Sequence, residues 1–440
     1  MKKTFLPLAG VLTAALMMTT AACSSSDDKG SASTSTTKPG EKVELTYWTW
    51  APNMDKVVEG WNTAHPDIHV TVNKQDGGDP AVTKLLTAIK AGSGAPDVMQ
   101  AEYQKIPTLV SANALTDISK QAGSLKAKFP DSAWNAVTLG SEALYGVPQD
   151  SGPMMFYYRS DVLQKLGLQA PKTWDDYAAA ARKVHAANAK QYLGTFSAND
   201  PGWFAGLSQQ AGASWWGVNG DTWSVAINDA NTQKVASYWG GLVQEGVIDN
   251  KPMYTPEWNA ALNDGTQVGW VSSVWGPGVL EGSAKNTKGK WKAALMPQWD
   301  AASPANGNWG GSATSVTSQS KHKAEAAQFI AWLNTDPAGI QALVTQANVY
   351  PASVDSSAAL TSPPAFLSDQ SDFYSIAAES AKITKPFTYG PNVNVAYSSY
   401  NDAFGKAAQS KKAADFPAAL ATMQQTTLDD MKNTGFKVSG

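Results

Sequence analysis

The hydrophobic period of this chain switches repeatedly between two residues and three to four, and that switching limits the fold more than any single motif. In "VELTYWTWAPN" a strand runs out at Ala51-Pro52, leaving Trp48 and Trp50 at or near its end. "NMDKVVEGWNTAHPD" then puts Met54, Val57, Val58 and Trp61 on one helical face. His65-Pro66 stops that helix, because the residue before proline avoids the α region. "IHVTV" alternates as a strand through Ile68, Val70 and Val72. "DPAVTKLLTAIKAGSGAPDV" returns to helical spacing with Val82, Leu85, Leu86 and Ile89, and "DVMQ" is again a short strand. This β-α-β-α-β order predicts an α/β protein whose sheet is mostly parallel and covered by helices on both faces. Ligands of such sheets sit beyond the C-terminal ends of strands, where Trp50 stands.

Later segments continue the pattern. A strand is expected around Met154 to Tyr158. "PKTWDDY" carries a capping box, with Thr173 at the N-cap and Asp176 three residues on. "NTQKVASYWGGLVQEG" sets Val235, Tyr238 and Leu242 on one helical face, and "AADFPAALATMQQTTLDDMKN" is helical. No internal repeat is present.

The N-terminus has another character. Lys2 and Lys3 precede an uncharged apolar run from Phe5 to Ala22, and Cys23 follows. Residues 1–22 are expected to be a secretory signal peptide. Cys23 is the single cysteine, and "TAAC" resembles the lipobox of bacterial lipoproteins. That resemblance implies a diacylated Cys23 that anchors the chain to the outer face of the cell membrane, because each buried methylene contributes about 0.8 kcal/mol. Residues 23–42 are polar and low in complexity, a flexible tether. The body beyond is long for one core, so two domains are expected. The formal net charge is -3 and only 16% of residues are charged, with no basic block, which argues against nucleic acid. Seventeen Trp and fourteen Tyr in so weakly charged a chain suggest a neutral polar ligand.

Several segments in order resemble the extracellular sugar-binding proteins of ABC importers, the maltose-binding-protein-like group. They are "LTYWTW" with "HPDIHVTV", then "KAGSGAPDVMQAEYQKIPTLVSANALTDIS", "LYGVPQDSGPMMFYYRSDVLQKLGLQAPKTWDDY" and "NWGGSATSVTSQSKHKAEAAQFIAWL". The resemblance implies two α/β lobes, each a mostly parallel sheet flanked by helices, with a cleft between them. One lobe would take 43–150 with 310–348, and the other 151–309 with 349–440. It also implies a monomer that closes like a hinged trap and hands its solute to permease subunits, without catalysis or cofactor.

A sugar ring offers a mildly apolar face to an indole and a belt of hydroxyls to carboxylates, each of which can accept from two neighbours. Candidates in the first lobe are Trp50, Glu102 and Tyr103, all at strand ends. Gln149 and Asp150 match a family position that often carries a sugar-binding carboxylate. From the second lobe come Trp203 in "NDPGWF", Trp215 or Trp216 in "GASWWG", and Trp275 in "SSVWGPG". Trp309 in "GNWGGS" lies at the return crossing, where Gly310 lets the backbone approach closely. Each tryptophan has core packing as its alternative, and for Trp61, Trp239 and Trp332 the core is expected. The number of candidate rings favours an oligosaccharide over a monosaccharide.

Three rivals are weaker. A glycoside hydrolase would recruit two carboxylates among Glu102, Asp150 and Glu257. A metal binder would use Tyr157-Tyr158, but those residues read as a strand. His65, His69, His185 and His322 show no zinc spacing, so no metal ligand is assigned. A polyamine binder would want more carboxylates among its aromatics.

Overall fold

A computed structural model describes residues 42–439. The expected signal peptide, Cys23 and nearly all of the tether lie outside the described residues. Ten strands are described: β1 (Val43–Thr49), β2 (Ile68–Lys74), β3 (Val98–Glu102), β4 (Val147–Arg159), β5 (Trp216–Asn219), β6 (Thr222–Val225), β7 (Gly269–Ser273), β8 (Trp291–Leu295), β9 (Asn308–Val316) and β10 (Lys437–Ser439). The main sheet runs β2-β1-β3-β9-β4-β7, and β8 also pairs with β4. A small separate sheet runs β10-β6-β5.

The two long strands β4 and β9 belong to two cores. Val147 packs in a core with Val43, Leu45, Trp61, Leu85, Val316 and Phe329. Met154 to Tyr157, at the other end of β4, pack in a second core with Trp174, Trp203, Trp239, Trp270 and Phe404. The helices cover these cores as their spacing demands. Helix Met54–Ala64 buries Met54, Val57, Val58 and Trp61, and Trp61 meets Phe329 edge-on at 5.5 Å. The Thr173 capping box is formed in both directions and starts helix Trp174–Ala187.

Strand direction then locates the cleft. β2, β1 and β3 are parallel, and β9 runs antiparallel to β3 and to β4. β4 in turn runs antiparallel to β7 and to β8. In each half the reversed strand is the one arriving from the other half. A strand that leaves one sheet at its C-terminal edge must enter the next sheet at that sheet's C-terminal edge, so it points backwards there. Both C-terminal edges therefore face each other across the crossings. The expected mostly parallel sheet is found in the first half, in β2, β1 and β3. In the second half, among the described residues, β7 and β8 pair only with the crossing strand β4, and antiparallel to it, because β4 enters that sheet reversed.

The crossings themselves are irregular. The β4–β9 ladder slips between Pro148 and Asp150 and again between Ser151 and Pro153. A third connection joins them, where Ser151 N–H donates to Tyr350 C=O at 3.1 Å and Ala352 N–H donates to Gln149 C=O at 3.1 Å. Such interrupted pairing confines bending to a few residues.

Candidate functional site

The end of β1 is held by one buried amide. Gln100 on β3 accepts from Thr49 Oγ1 at 2.6 Å and from the Trp50 N–H at 3.3 Å. Its Nε2 donates to Ser312 Oγ on β9 at 2.9 Å, and that hydroxyl donates to Asp150 Oδ1 on β4 at 2.5 Å. Four strands are thereby tied edge to edge, and Trp50 is fixed where its strand ends. A cleft of about 580 Å³ opens there, lined by Trp50, Glu102, Asp150, Trp275, Trp309 and Gly310 among others.

On the facing side the aromatic groups support one another. Trp275 follows β7, and its Nε1–H donates to the Trp309 carbonyl at 2.9 Å. The two rings meet edge-to-face at 4.7 Å and 66°. Trp270 lies edge-on to both, at 6.0 Å and 6.2 Å. Gly310 is left-handed at φ 82°, and a Cβ there would lie 3.4 Å from Trp275 Nε1. Tyr254 completes the group 6.2 Å from Trp309, half-exposed, with its backbone at φ 66°. A non-glycine residue in that region is a local cost of the kind that clusters at ligand sites.

Four carboxylates line the same cleft, Glu102, Asp150, Asp200 and Glu281, and burial acts on the first three. Glu102 ends β3, Asp150 lies at the crossing, and Asp200 caps helix Pro201–Gln210 by accepting the Trp203 N–H at 3.0 Å. Burial raises all three pKa values by withholding water from the charged form, to about 6 for Asp150 and about 7 for Asp200. For Asp150 the Ser312 hydrogen bond works the other way, and for Asp200 so does the Trp203 amide. A carboxyl raised above its unfolded value binds its proton more tightly in the folded chain. Its contribution favours folding at low pH and is lost as pH rises through about 6 to 7. The ligand-free protein is therefore expected to gain more Tm between pH 8 and pH 5.5 than an Asp200→Asn variant gains. Equal gains in thermal melts would show that Asp200 titrates normally.

The sequence candidates separate cleanly by position. Trp50, Glu102, Asp150, Trp275, Trp309 and Gly310 line the cleft. Tyr103 and Gln149 stand behind it. The Tyr103 hydroxyl donates to the Asp150 carbonyl at 2.9 Å, and Gln149 Oε1 accepts from Tyr47 and Thr314. Trp203, Trp215 and Trp216 do not reach the cleft and are fully buried in the second core. Their indoles are committed inside: Trp203 Nε1–H donates to the Val271 carbonyl, Trp215 Nε1–H donates to Thr232, and the Trp216 ring lies against Gly390. For Trp203 the reason lies in the cap: Asp200 has a non-helical backbone, φ -129° and ψ 80°, so its side chain is not placed by the helix that aims Trp203 inward. Asp200 at the N-cap faces the opening, and Trp203 three residues later faces the interior. Trp203→Phe is expected to lower stability by about 1–2 kcal/mol and leave ligand affinity unchanged, as denaturation and calorimetry would measure. Sequence reasoning missed Asp200, Tyr254 and the Tyr350/Tyr374 pair, whose rings are near-parallel at 6.2 Å at another part of the cleft wall. The Asp-Pro pair at 200–201 was a readable N-cap signal.

Comparison with known proteins agrees with this architecture. Residues 37–340 match the family model described as bacterial extracellular solute-binding protein. An arabinooligosaccharide-binding protein of Bacillus subtilis (strain 168) is 26% identical over 314 residues, covering 69% of this chain and 71% of that protein. A lactose-binding protein of Rhizobium radiobacter is 28% identical over 312 residues, covering 65% of this chain and 69% of that one. Among solved structures, the galacto-N-biose-/lacto-N-biose I-binding protein of an ABC transporter from Bifidobacterium longum, in complex with lacto-N-biose, superposes with a TM-score of 0.80. It is 29% identical, and the match covers 91% of this chain and all of that one. With the two-lobed α/β architecture shared and most of its length matched, the chain belongs to the bacterial extracellular solute-binding proteins.

Proposed function

We propose that this protein is a receptor that captures a sugar, an oligosaccharide rather than a single ring, and delivers it to the permease of an ABC transporter. One observation carries the reading. Indole rings and carboxylates from both halves of the molecule line one cleft at the facing strand ends, beside interrupted crossings. Trp50, Trp275 and Trp309 are the stacking surfaces, and Glu102, Asp150 and Asp200 accept from hydroxyls. The lobes comprise 43–150 with 310–348 and 151–309 with 349–440. They close over the ligand about the crossings, and the closed form is what the permease meets. The signal peptide directs export. Diacylated Cys23 holds the monomer on the outer face of the membrane, and the tether lets it reach the permease. The ligand leaves chemically unchanged, as the names of the binding-protein relatives suggest.

Affinity is expected near micromolar, about -8 kcal/mol. Calorimetry against arabino-oligosaccharides, galacto-oligosaccharides, lactose and lacto-N-biose tests the reading. Binding to none of them, together with binding of a peptide or a polyamine, would refute it.

A further inference from the structure

The charged side chains that line the cleft are of one sign. Among the described residues lining it, Glu102, Asp150, Asp200 and Glu281 are acidic, and none is Lys, Arg or His. The nearest cation in sequence, Lys105, is buried and eases the ionisation of Glu102, but it does not line the cleft and its ammonium is bonded elsewhere. Its ammonium bonds Asp79 at 2.5 Å and also donates to Asn394 Oδ1. Lys288, 3.7 Å from Glu281, is on the exposed surface and does not line the cleft. Glu102 and Asp200 come from opposite halves and line the same space, and the Glu102 charge adds a little to the cost of ionising Asp200, which burial mainly sets.

We propose, building on the sugar-receptor reading, that this cleft selects by charge. It admits glycans that carry only hydroxyl, amide or amine groups and excludes glycans that carry carboxylate, phosphate or sulfate, with Asp200 the specificity-determining residue of the second half. Above about pH 7, where Asp150 and Asp200 are ionised, a ligand hydroxyl brings a donor to an oxygen that only accepts, so a neutral glycan meets these carboxylates directly. A ligand carboxylate brings neither donor nor countercharge. It would be buried without a partner and beside like charges, and both effects oppose entry. Asp200 is placed to decide this because its cap to the Trp203 amide fixes it at the rim of helix Pro201–Gln210, opposite Glu102. The aromatic platforms do not discriminate in this way, since a uronic acid stacks as well as its parent sugar.

Two experiments test the proposal on the exported full-length body. The first is calorimetry with matched pairs, lactose against lactobionate and galactobiose against digalacturonate. For any pair whose neutral member binds, the acid is expected to bind at least about a hundredfold more weakly, the size of effect that one nearby like charge exerts. Asp200→Asn, which keeps an N-cap acceptor, is expected to narrow that gap by about tenfold or more. An acid binding as tightly as its neutral partner would overturn the proposal. The second experiment needs no ligand. Caesium and iodide quenching is compared in the ligand-free protein and in Trp50→Phe/Trp275→Phe, so that the difference isolates the two partly exposed cleft indoles. Caesium is expected to quench that difference signal and iodide to fail, with iodide access restored in Glu102→Gln/Asp200→Asn. Iodide quenching equal to caesium quenching in the wild type would overturn the proposal even if no sugar of the panel bound. That last absence, with the quenching as expected, would count against the sugar reading and not against charge selection.

Discussion

Trp275→Ala is expected to weaken oligosaccharide binding by about 2–4 kcal/mol, whereas Trp332→Ala changes it by less than about 0.5 kcal/mol. Both rings are partly exposed, so the contrast lies in where they are. Trp332 packs at 5.6 Å on Trp61 at the outside of the first core. Trp275 lines the cleft, and its Nε1–H is already satisfied by the Trp309 carbonyl. Its ring is therefore held by a hydrogen bond and by an edge-to-face neighbour before ligand arrives. A pre-set ring loses little rotamer freedom on binding, which is the condition under which an aromatic group becomes a large contributor. Calorimetry with whichever oligosaccharide the wild type binds gives the comparison, and thermal melts separate binding loss from unfolding. Equal losses for the two variants would mean that the cleft is not where the ligand lies.

Much of this was open to reading in the chain, and the limits have physical causes. The period switches placed helix Met54–Ala64 and its four buried residues correctly, because burial of one face is what creates the pattern. Trp50 was readable because Pro52 ends its strand. The crossings at "VPQDSGP" and "NWGGS" stood out through their Gly and Pro residues, and the structure runs β4 and β9 through both. What failed was the use of tryptophan content as a sign of sugar contact. Nine of the seventeen tryptophans are less than 2% exposed, among them Trp203, Trp215, Trp216 and Trp239. The second core is built from edge-to-face indoles, for example Trp203 on Trp239 at 5.0 Å. A ring that suits a pyranose face also fills a core well, so composition cannot separate the two uses. Orientation can, and here it depends on where the helical backbone begins, since Asp200 at the N-cap has non-helical dihedrals. Asp200 and Trp203 lie three residues apart on one helix start and point to different surroundings. Tyr254 left no local signal, because nothing in a tyrosine announces a left-handed backbone.

Gly311→Ala is expected to lower stability by about 2–5 kcal/mol, while Gly241→Ala leaves it unchanged or raises it by up to about 1 kcal/mol. The two glycines differ in backbone and in space. Gly311 is at φ 100°, and a Cβ there would lie 2.7 Å from the Tyr103 ring. That ring cannot retreat freely, because its hydroxyl holds the Asp150 carbonyl at the crossing and Tyr103 is itself buried. Gly241 lies in helix Ala230–Glu245, where nothing stands within 4 Å of an added methyl, so alanine only restricts the unfolded chain. Urea denaturation of the two variants measures the difference directly. Gly311→Ala is also expected to lose affinity, because pushing Tyr103 away releases the segment that carries Asp150 into the cleft. A Gly311→Ala protein as stable as the wild type would show that the second crossing does not require its left-handed turn. The tight fit between Tyr103, Asp150 and β9 would then not be what holds the cleft's carboxylate in place.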